Sequence, residues 1–427
     1  MDDFLYFFSF QDPNVVLVVV GISLLSVSAA MVGTFTFLDK KALIGDAISH
    51  AVLPGVCLAF MLAGSKNPYW IVVGAFATGA LATYAISWVS QQTKLKEDTI
   101  IASVLSVFFG IGIVLMTKLQ QTGNAALSGL DHFLFGNAIS IIGEDILVYA
   151  TLALATILAI LIFYKEFQLL IFNRDFATVI GLPVKRLEFL FNSLMVLAVV
   201  TGIQAIGVVL MAALLITPAA AAKFWTDRLG AMLFIAVVIA LFSGISGAYI
   251  SFVLPNMPTG PWVVVVLSAL AFLSFFFSHK KGLITRWYSK KNYQRKIHSD
   301  HILKALYHAQ ESGGQGLSIQ EFKHRFPNQN RHTHYSIKAL SNKGYITTRQ
   351  DFISLTTTGV SEAKRIIRLH RLWELYLTEY VNIAPDHVHD IAGKIEHILT
   401  PEIEAKLEAK LNYPARDPHQ SIIPRDS

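Results

Sequence analysis

Two pairs of residues in this chain have the types and spacing for divalent-metal chemistry. The first lies in ALIGDAISHAVLPGVCLAFML, Ala42 to Leu62. Asp46 and His50 are four residues apart, so on a helix they share one face. A carboxylate with an imidazole suits Mn, Fe or Zn, and none of these requires a thiolate. The surrounding residues are apolar enough to enter a bilayer. An ionisable pair in such a segment is expensive and marks an ion or substrate path. The alternative is a hydrogen-bonded pair that holds two helices together. Two ligands are too few for a tight site and suit a transient one. The second pair is His370 and Glu374, again four apart. His389 and His397 follow two turns apart on the next predicted helix, with Glu396 beside them. His and Glu converging from two helices is Mn, Fe or Zn chemistry. The alternative is a solvated helix face.

The elements that must position these pairs differ in kind. The chain has 427 residues, 53 % of them hydrophobic, and a mean hydropathy of +0.51. That composition is a membrane protein's. Residues 1–280 are strongly apolar, whereas the remainder is ordinary polar sequence. Apolar runs near the length of a bilayer span occur at about 15–37, 43–63, 69–90, 99–117, 144–164, 188–204, 206–225, 229–253 and 262–278. The division of 188–225 is open: two short spans hinged near Gly202 to Gly207, or one span and a broken half-helix. Pro54-Gly55 breaks the second run, which membranes tolerate where backbone is buried in protein or lines a cavity. Lys40, Lys41, Lys94, Lys96, Lys165, Arg174, Lys185, Arg186, Lys223 and Arg228 follow odd-numbered spans, and only Lys66 and Lys118 fall in the opposite loops. This asymmetry places the N-terminus outside and the C-terminus in the cytoplasm. Cys57 is the single cysteine, which excludes an internal disulfide and a thiolate cluster. His132, Glu144 and Asp145 fall on the outer side, where they could attract cations or meet a binding protein; solvated loop groups are the alternative.

The polar part has its own pattern. Residues 281–297 are basic with interleaved Trp287, Tyr288 and Tyr293, as in a juxtamembrane linker facing anionic lipid; a nucleic-acid arm is the alternative. Residues 298–360 read as a winged helix: helices at about 298–311, 318–325 and 331–343, then a two-stranded wing turning at Gln350-Asp351. Ser318 and Glu321 fit a capping box, and Gly344 suits a helix C-terminus. Helix–turn–helix with a wing is a DNA-binding pattern. Arg331, His332, Thr333, His334, Ser336 and Lys338 would face the groove or the phosphates. Winged helices also serve as protein-interaction modules, so both readings stand. Residues 361–427 form a small helical domain that carries the second metal pair.

GDAISHAVLPG (Gly45 to Gly55), FATVIGLPVKRLE (Phe176 to Glu188), GIQAIGVVLMAALLITPAAAA (Gly202 to Ala222) and MPTGP (Met257 to Pro261) occur in this order. They resemble the permease subunits of bacterial ABC importers for zinc, manganese or iron, over roughly residues 10 to 280. The resemblance implies a metal path through Asp46 and His50. It also implies a cytoplasmic coupling helix, with Arg174, Asp175, Phe176, Gly181 and Pro183, that docks into an ATPase; an ordinary amphipathic connector is the alternative. No GxxxxGK[ST] segment occurs, so ATP is hydrolysed by a partner subunit. From about 296 to 424 the chain resembles the diphtheria-toxin-repressor-like, iron- or manganese-dependent repressors. That resemblance implies one metal site from His370, Glu374 and His389, and part of a second from Glu396 and His397. Gly393 stands where the family has a cysteine or glutamate ligand. His301 stands where it has methionine or aspartate.

Together these readings give an all-α polytopic membrane protein of 8–9 transmembrane helices, followed by a soluble winged-helix domain and a small helical metal-binding and dimerisation domain. The expected protein is not an enzyme. It is the permease of an ATP-driven divalent-metal importer in the cell (inner) membrane, a homodimer with an ATPase pair and an extracytoplasmic metal-binding protein. Its tail senses metal, and regulates either transport or, through operator DNA, transcription. A membrane-tethered transcriptional regulator whose spans act as a sensor is the alternative from another class. A secondary transporter would need inverted repeats and mid-membrane acids, which the sequence does not show.

Overall fold

The computed structural model describes residues 2–41, 43–63, 67–121, 143–254, 257–314, 316–325, 330–349, 351–384, 401–419 and 421–424. These form two compact units, Met1–Thr285 and Arg286–Ser427.

The first unit is helical throughout. Its elements are α1 (Asp2–Phe8), α2 (Pro13–Leu38), α3 (Ile44–Ala51), α4 (Leu53–Ala63), α5 (Pro68–Gln92), α6 (Glu97–Gln120), α7 (Gly143–Ile162), α8 (Tyr164–Phe172), α9 (Arg174–Val179), α10 (Val184–Ile206), α11 (Val208–Trp225), α12 (Leu229–Val253) and α13 (Thr259–Phe277). Seven described helices are long and apolar enough to cross a membrane. Ile146–Ile162 with Tyr164–Phe172, bent by 69°, makes an eighth, and Leu210–Trp225 is a shorter apolar helix. Helix α2 is apolar on all sides, as a helix at the centre of a bundle must be. It starts sharply because Asp12 accepts a hydrogen bond from the Asn14 amide (2.9 Å) ahead of Pro13. It packs against α7, α10, α11 and α12. Small residues allow the closest approaches, as in other membrane bundles. A Cβ on Gly33 would lie 1.7 Å from the Leu215 carbonyl oxygen. Between α4 and α5, a Cβ on Gly55 would lie 2.0 Å from the Gly74 carbonyl oxygen.

The second apolar run continues from α3 into α4 through Val52, whose backbone stays right-handed helical, as one 20-residue span, Ile44–Ala63. The open region 188–225 resolves into two helices that meet at Gly207, whose φ of 91° and ψ of 164° suit a residue without a side chain.

The second unit begins within α14 (Leu283–Glu311) and continues with β1 (Leu317–Ser318), α15 (Ile319–Arg325), α16 (Asn330–Asn342), β2 (Ile346–Arg349), β3 (Phe352–Leu355), α17 (Thr357–Val381) and α18 (Pro401–Lys410). Its sheet is antiparallel in the order β1-β3-β2, with Thr348 opposite Ile353 in the β2–β3 pair. Three helices followed by this hairpin give the winged-helix order. The capping box forms: the Ser318 amide donates to Glu321 Oε2 (2.8 Å), and the Glu321 amide donates to Ser318 Oγ (3.0 Å). The backbone amide of Ser318 holds the Glu321 carboxyl below its ordinary pKa. The core gathers Ile302, Leu306, Phe322, Leu340, Ile353 and Ile366. A smaller cluster joins Leu372, Leu407, Leu411 and Ile423. Helix α14 starts fifteen residues before the expected 298, since no Gly or Pro interrupts Leu283–Glu311.

Candidate metal sites

Helix α3 packs against α5, α6, α10 and α11. Ile44, Ala47, Ile48 and Ala51 are buried and fix its rotation. A Cβ on Gly45 would meet Leu215 Cδ1 at 2.7 Å, so a larger residue there would push that side chain aside. With the apolar face turned into the bundle, Asp46 and His50 fall on the remaining face. Their side chains are 47 % and 26 % exposed, with His50 Nε2 3.5 Å from Asp46 Oδ1. That separation is too long for a good hydrogen bond. The His50 ring meets Phe109 edge-on, with centroids 4.9 Å apart, and its Nδ1 is buried without a hydrogen-bond partner. Leaving such a group unsatisfied costs about 1–3 kcal/mol. The pair therefore does not close into a good hydrogen bond, and the Asp46 carboxylate stays half exposed beside the His50 ring.

The segment expected to couple to an ATPase is compact. Asn173 accepts from the Phe176 amide (3.0 Å) and starts α9. Arg174 pairs with Glu188 (2.6 Å), which ties α9 to the start of α10. Gly181 has φ +84° in the turn before Pro183, and Asp175 lies in the first turn of α9. Ala177 is buried, whereas Phe176, Val179 and Ile180 are exposed. Val179 and Ile180 extend the exposed apolar face beside Phe176, because only the folded turn sets which apolar residues face outward.

In the tail, His370 and Glu374 on α17 are 6 % and 2 % exposed, with His370 Nε2 3.2 Å from Glu374 Oε1. They line a cavity of about 500 Å³ together with His301, Lys304 and His308 of α14 and with Arg371, Asp417 and His419. Asp417 Oδ1 accepts from the amides of His419 (2.9 Å) and Ser421 (2.8 Å), which shapes the turn that carries His419. His301, Lys304 and His308 share one face of α14, so the i, i+3, i+7 spacing could have flagged His308. His419 is brought in only by tertiary structure. His389, Glu396 and His397, with Gly393 and His387, lie outside the described residues, as does His132. The side chains of Glu144 and Asp145 are not described either. Among the described residues, no group of three or more His, Cys, Asp or Glu is gathered closely enough to hold an ion.

Of the expected DNA-facing residues, Arg331, His332, Thr333 and His334 lie in α16, and their side chains are not described. Lys338 is exposed. Ser336 is a correction: it is 1 % exposed. It neighbours core residue Ile337 and cannot reach a groove.

Residues 11–278 match the ABC 3 transport family. The chain belongs to that family. Residues 356–425 match the domain described as iron dependent repressor, metal binding and dimerisation domain. The chain is 36 % identical over 375 residues to the manganese transport system membrane protein MntC of Bacillus subtilis, covering 88 % of this chain and 86 % of that protein. It is 37 % identical over 282 residues to the zinc transport system membrane protein TroC of Treponema pallidum, covering 66 % and 95 %. Among solved structures it resembles PsaBC from Streptococcus pneumoniae in complex with Fab, with TM-score 0.58, 30 % identity, and coverage of 67 % of this chain and 99 % of that one. The protein is thus a multi-pass membrane member of the ABC 3 transport family with a repressor-like C-terminal domain.

Proposed function

We propose that the chain is the permease of an ATP-driven importer of Mn, Fe or Zn ions, and that Asp46 and His50 contact the ion as it passes. The observation that carries this reading is the half-exposed Asp46 carboxylate with His50 Nε2 3.5 Å away on one face of α3, inside the bundle. A passing cation would engage these two loosely paired groups. Two ligands from one helix, joined by others only transiently, bind weakly enough to release, which transport requires. The relatives named for manganese and zinc transport support the substrate class.

The remaining parts follow from this reading. Residues 1–280 are the transport domain, with the N-terminus outside and the tail in the cytoplasm. Two copies pair with two ATPase subunits and receive metal from an extracytoplasmic binding protein. Helix α9, with Arg174, Asp175, Phe176, Gly181 and Pro183, is the coupling knob. After the linker at 281–297, residues 298–360 form the winged helix and 361–427 the metal-responsive domain. His370, Glu374 and His389 would hold its ion; Glu396 and His397, with His301, would serve a second site. The tail regulates transport by changing dimer geometry, or transcription through α16, where Arg331, His332, Thr333, His334 and Lys338 would meet operator DNA. The buried His370–Glu374 pair at a solvent-connected cavity supports a sensing role for either output.

The test is ATP-driven metal uptake by the reconstituted complex. Asp46→Ala and His50→Ala should each abolish uptake while the complex still assembles. Normal uptake in both variants would remove the assignment.

A further inference from the structure

The start of α14 belongs neither to the transport path nor to the tail core. Its first residue buried in the second unit's packing is His298, and the continuous core residues begin at Ile302. Before that point, Leu283, Ile284, Trp287 and Tyr288 recur at helical spacing on one face, and each is 42–59 % exposed. Lys291 lies on the same face, with Nζ 4.8 Å from the Trp287 ring centroid. Between His279 and Ser299 the sequence holds seven Lys or Arg and no Asp or Glu.

Chain geometry restricts what this face can meet. Helix α13 ends at Phe277 and α14 begins at Leu283, so Leu283 lies within roughly 20 Å of the end of the last span. The turn between them is fixed. The Gly282 amide and Thr285 Oγ1 both donate to the Ser278 carbonyl at 3.0 Å. Ser278 Oγ donates to the Phe224 carbonyl (2.5 Å), and Lys281 pairs with Asp227. An apolar, Trp- and Tyr-bearing face with basic residues, tied to the end of a membrane span, has the make-up of a helix lying in the lipid–water interface. Its charge complements anionic headgroups.

We propose that residues 283–294 are an interfacial anchor that seats the Leu283–Ile284–Trp287–Tyr288 face in an anionic leaflet, and that this seating is set by lipid charge and ionic strength. The inference rests on the multi-pass fold and stands whether or not Asp46 and His50 carry metal.

The test uses the full chain with Cys57→Ala, reconstituted in phosphatidylcholine vesicles with or without phosphatidylglycerol. A polarity-sensitive fluorophore is attached at Tyr288→Cys or, on the opposite face, at Ser289→Cys. With phosphatidylglycerol present, the label at 288 should shift to the blue and be quenched by lipid-borne quenchers, while the label at 289 keeps its emission in water. High salt, or Lys290→Glu with Lys291→Glu, should reverse the shift at 288. Three results would overturn the proposal: equal quenching at both positions, no response to phosphatidylglycerol, or a response to added duplex DNA in place of lipid. The last would make the segment a nucleic-acid arm.

Discussion

The exposed face of α9 allows a quantitative test of coupling. Phe176 is 50 % exposed, beside Val179 at 82 % and Ile180 at 51 %. A fully buried Phe removes about 150–250 Å² from water, so docking would cover roughly a further 100 Å² of Phe176. At ~25 cal/mol per Å² this contributes about 2.5 kcal/mol, or roughly 60-fold in affinity. Phe176→Ala should therefore weaken binding of the ATPase subunit by one to two orders of magnitude. The helix itself should persist, because its cap at Asn173, the Arg174–Glu188 pair and buried Ala177 are untouched. The assay is a titration of labelled ATPase subunit onto permease in nanodiscs, paired with uptake in proteoliposomes. Unchanged affinity with normal uptake would refute the docking role of this face. Weakened uptake with unchanged affinity would show that Phe176 acts after docking.

Other expectations concern stability. Gly55→Ala drives a Cβ against the Gly74 carbonyl oxygen, backbone that cannot rotate aside. It should cost about 3 kcal/mol, seen as a Tm lowered by several degrees. Gly110→Ala, with nothing within 4 Å of the new Cβ, should be neutral or slightly stabilising; equal losses in both would contradict the packing account. Hydrogen bonds from Lys281 and then Lys223 hold the Asp227 carboxyl below its ordinary value of 3.8. A depressed carboxyl stabilises above its unfolded pKa, and that stabilisation is lost as pH falls through the folded value. The Tm gap between the wild type and Asp227→Asn should thus be present at neutral pH and close in acid. A gap that persists in acid would show that charge is not its source.

Much of the membrane unit was legible because bilayer length and apolar composition act locally. The exact hinge was not: Gly202 and Gly207 are both plausible breaks by residue type, and only Gly207 takes the positive φ. The Asp46–His50 spacing could be read directly, but the unpaired Nδ1 depends on what α6 places beside the ring. Ser336 shows the limit of reading one helix alone, since its burial depends on where the core lies. His419 and Asp417 reach the His370–Glu374 cavity through the C-terminal turn, a tertiary contact that no local pattern encodes.

If one polypeptide holds two separable metal sites, one on the transport path and one in the tail, equilibrium binding of Mn(II) to the purified full chain, followed by electron paramagnetic resonance, should show two binding events. Asp46→Ala should remove the weaker and Glu374→Ala the tighter, each leaving the other in place. Binding that neither substitution alters, or a single event lost with either one, would contradict the two-site reading.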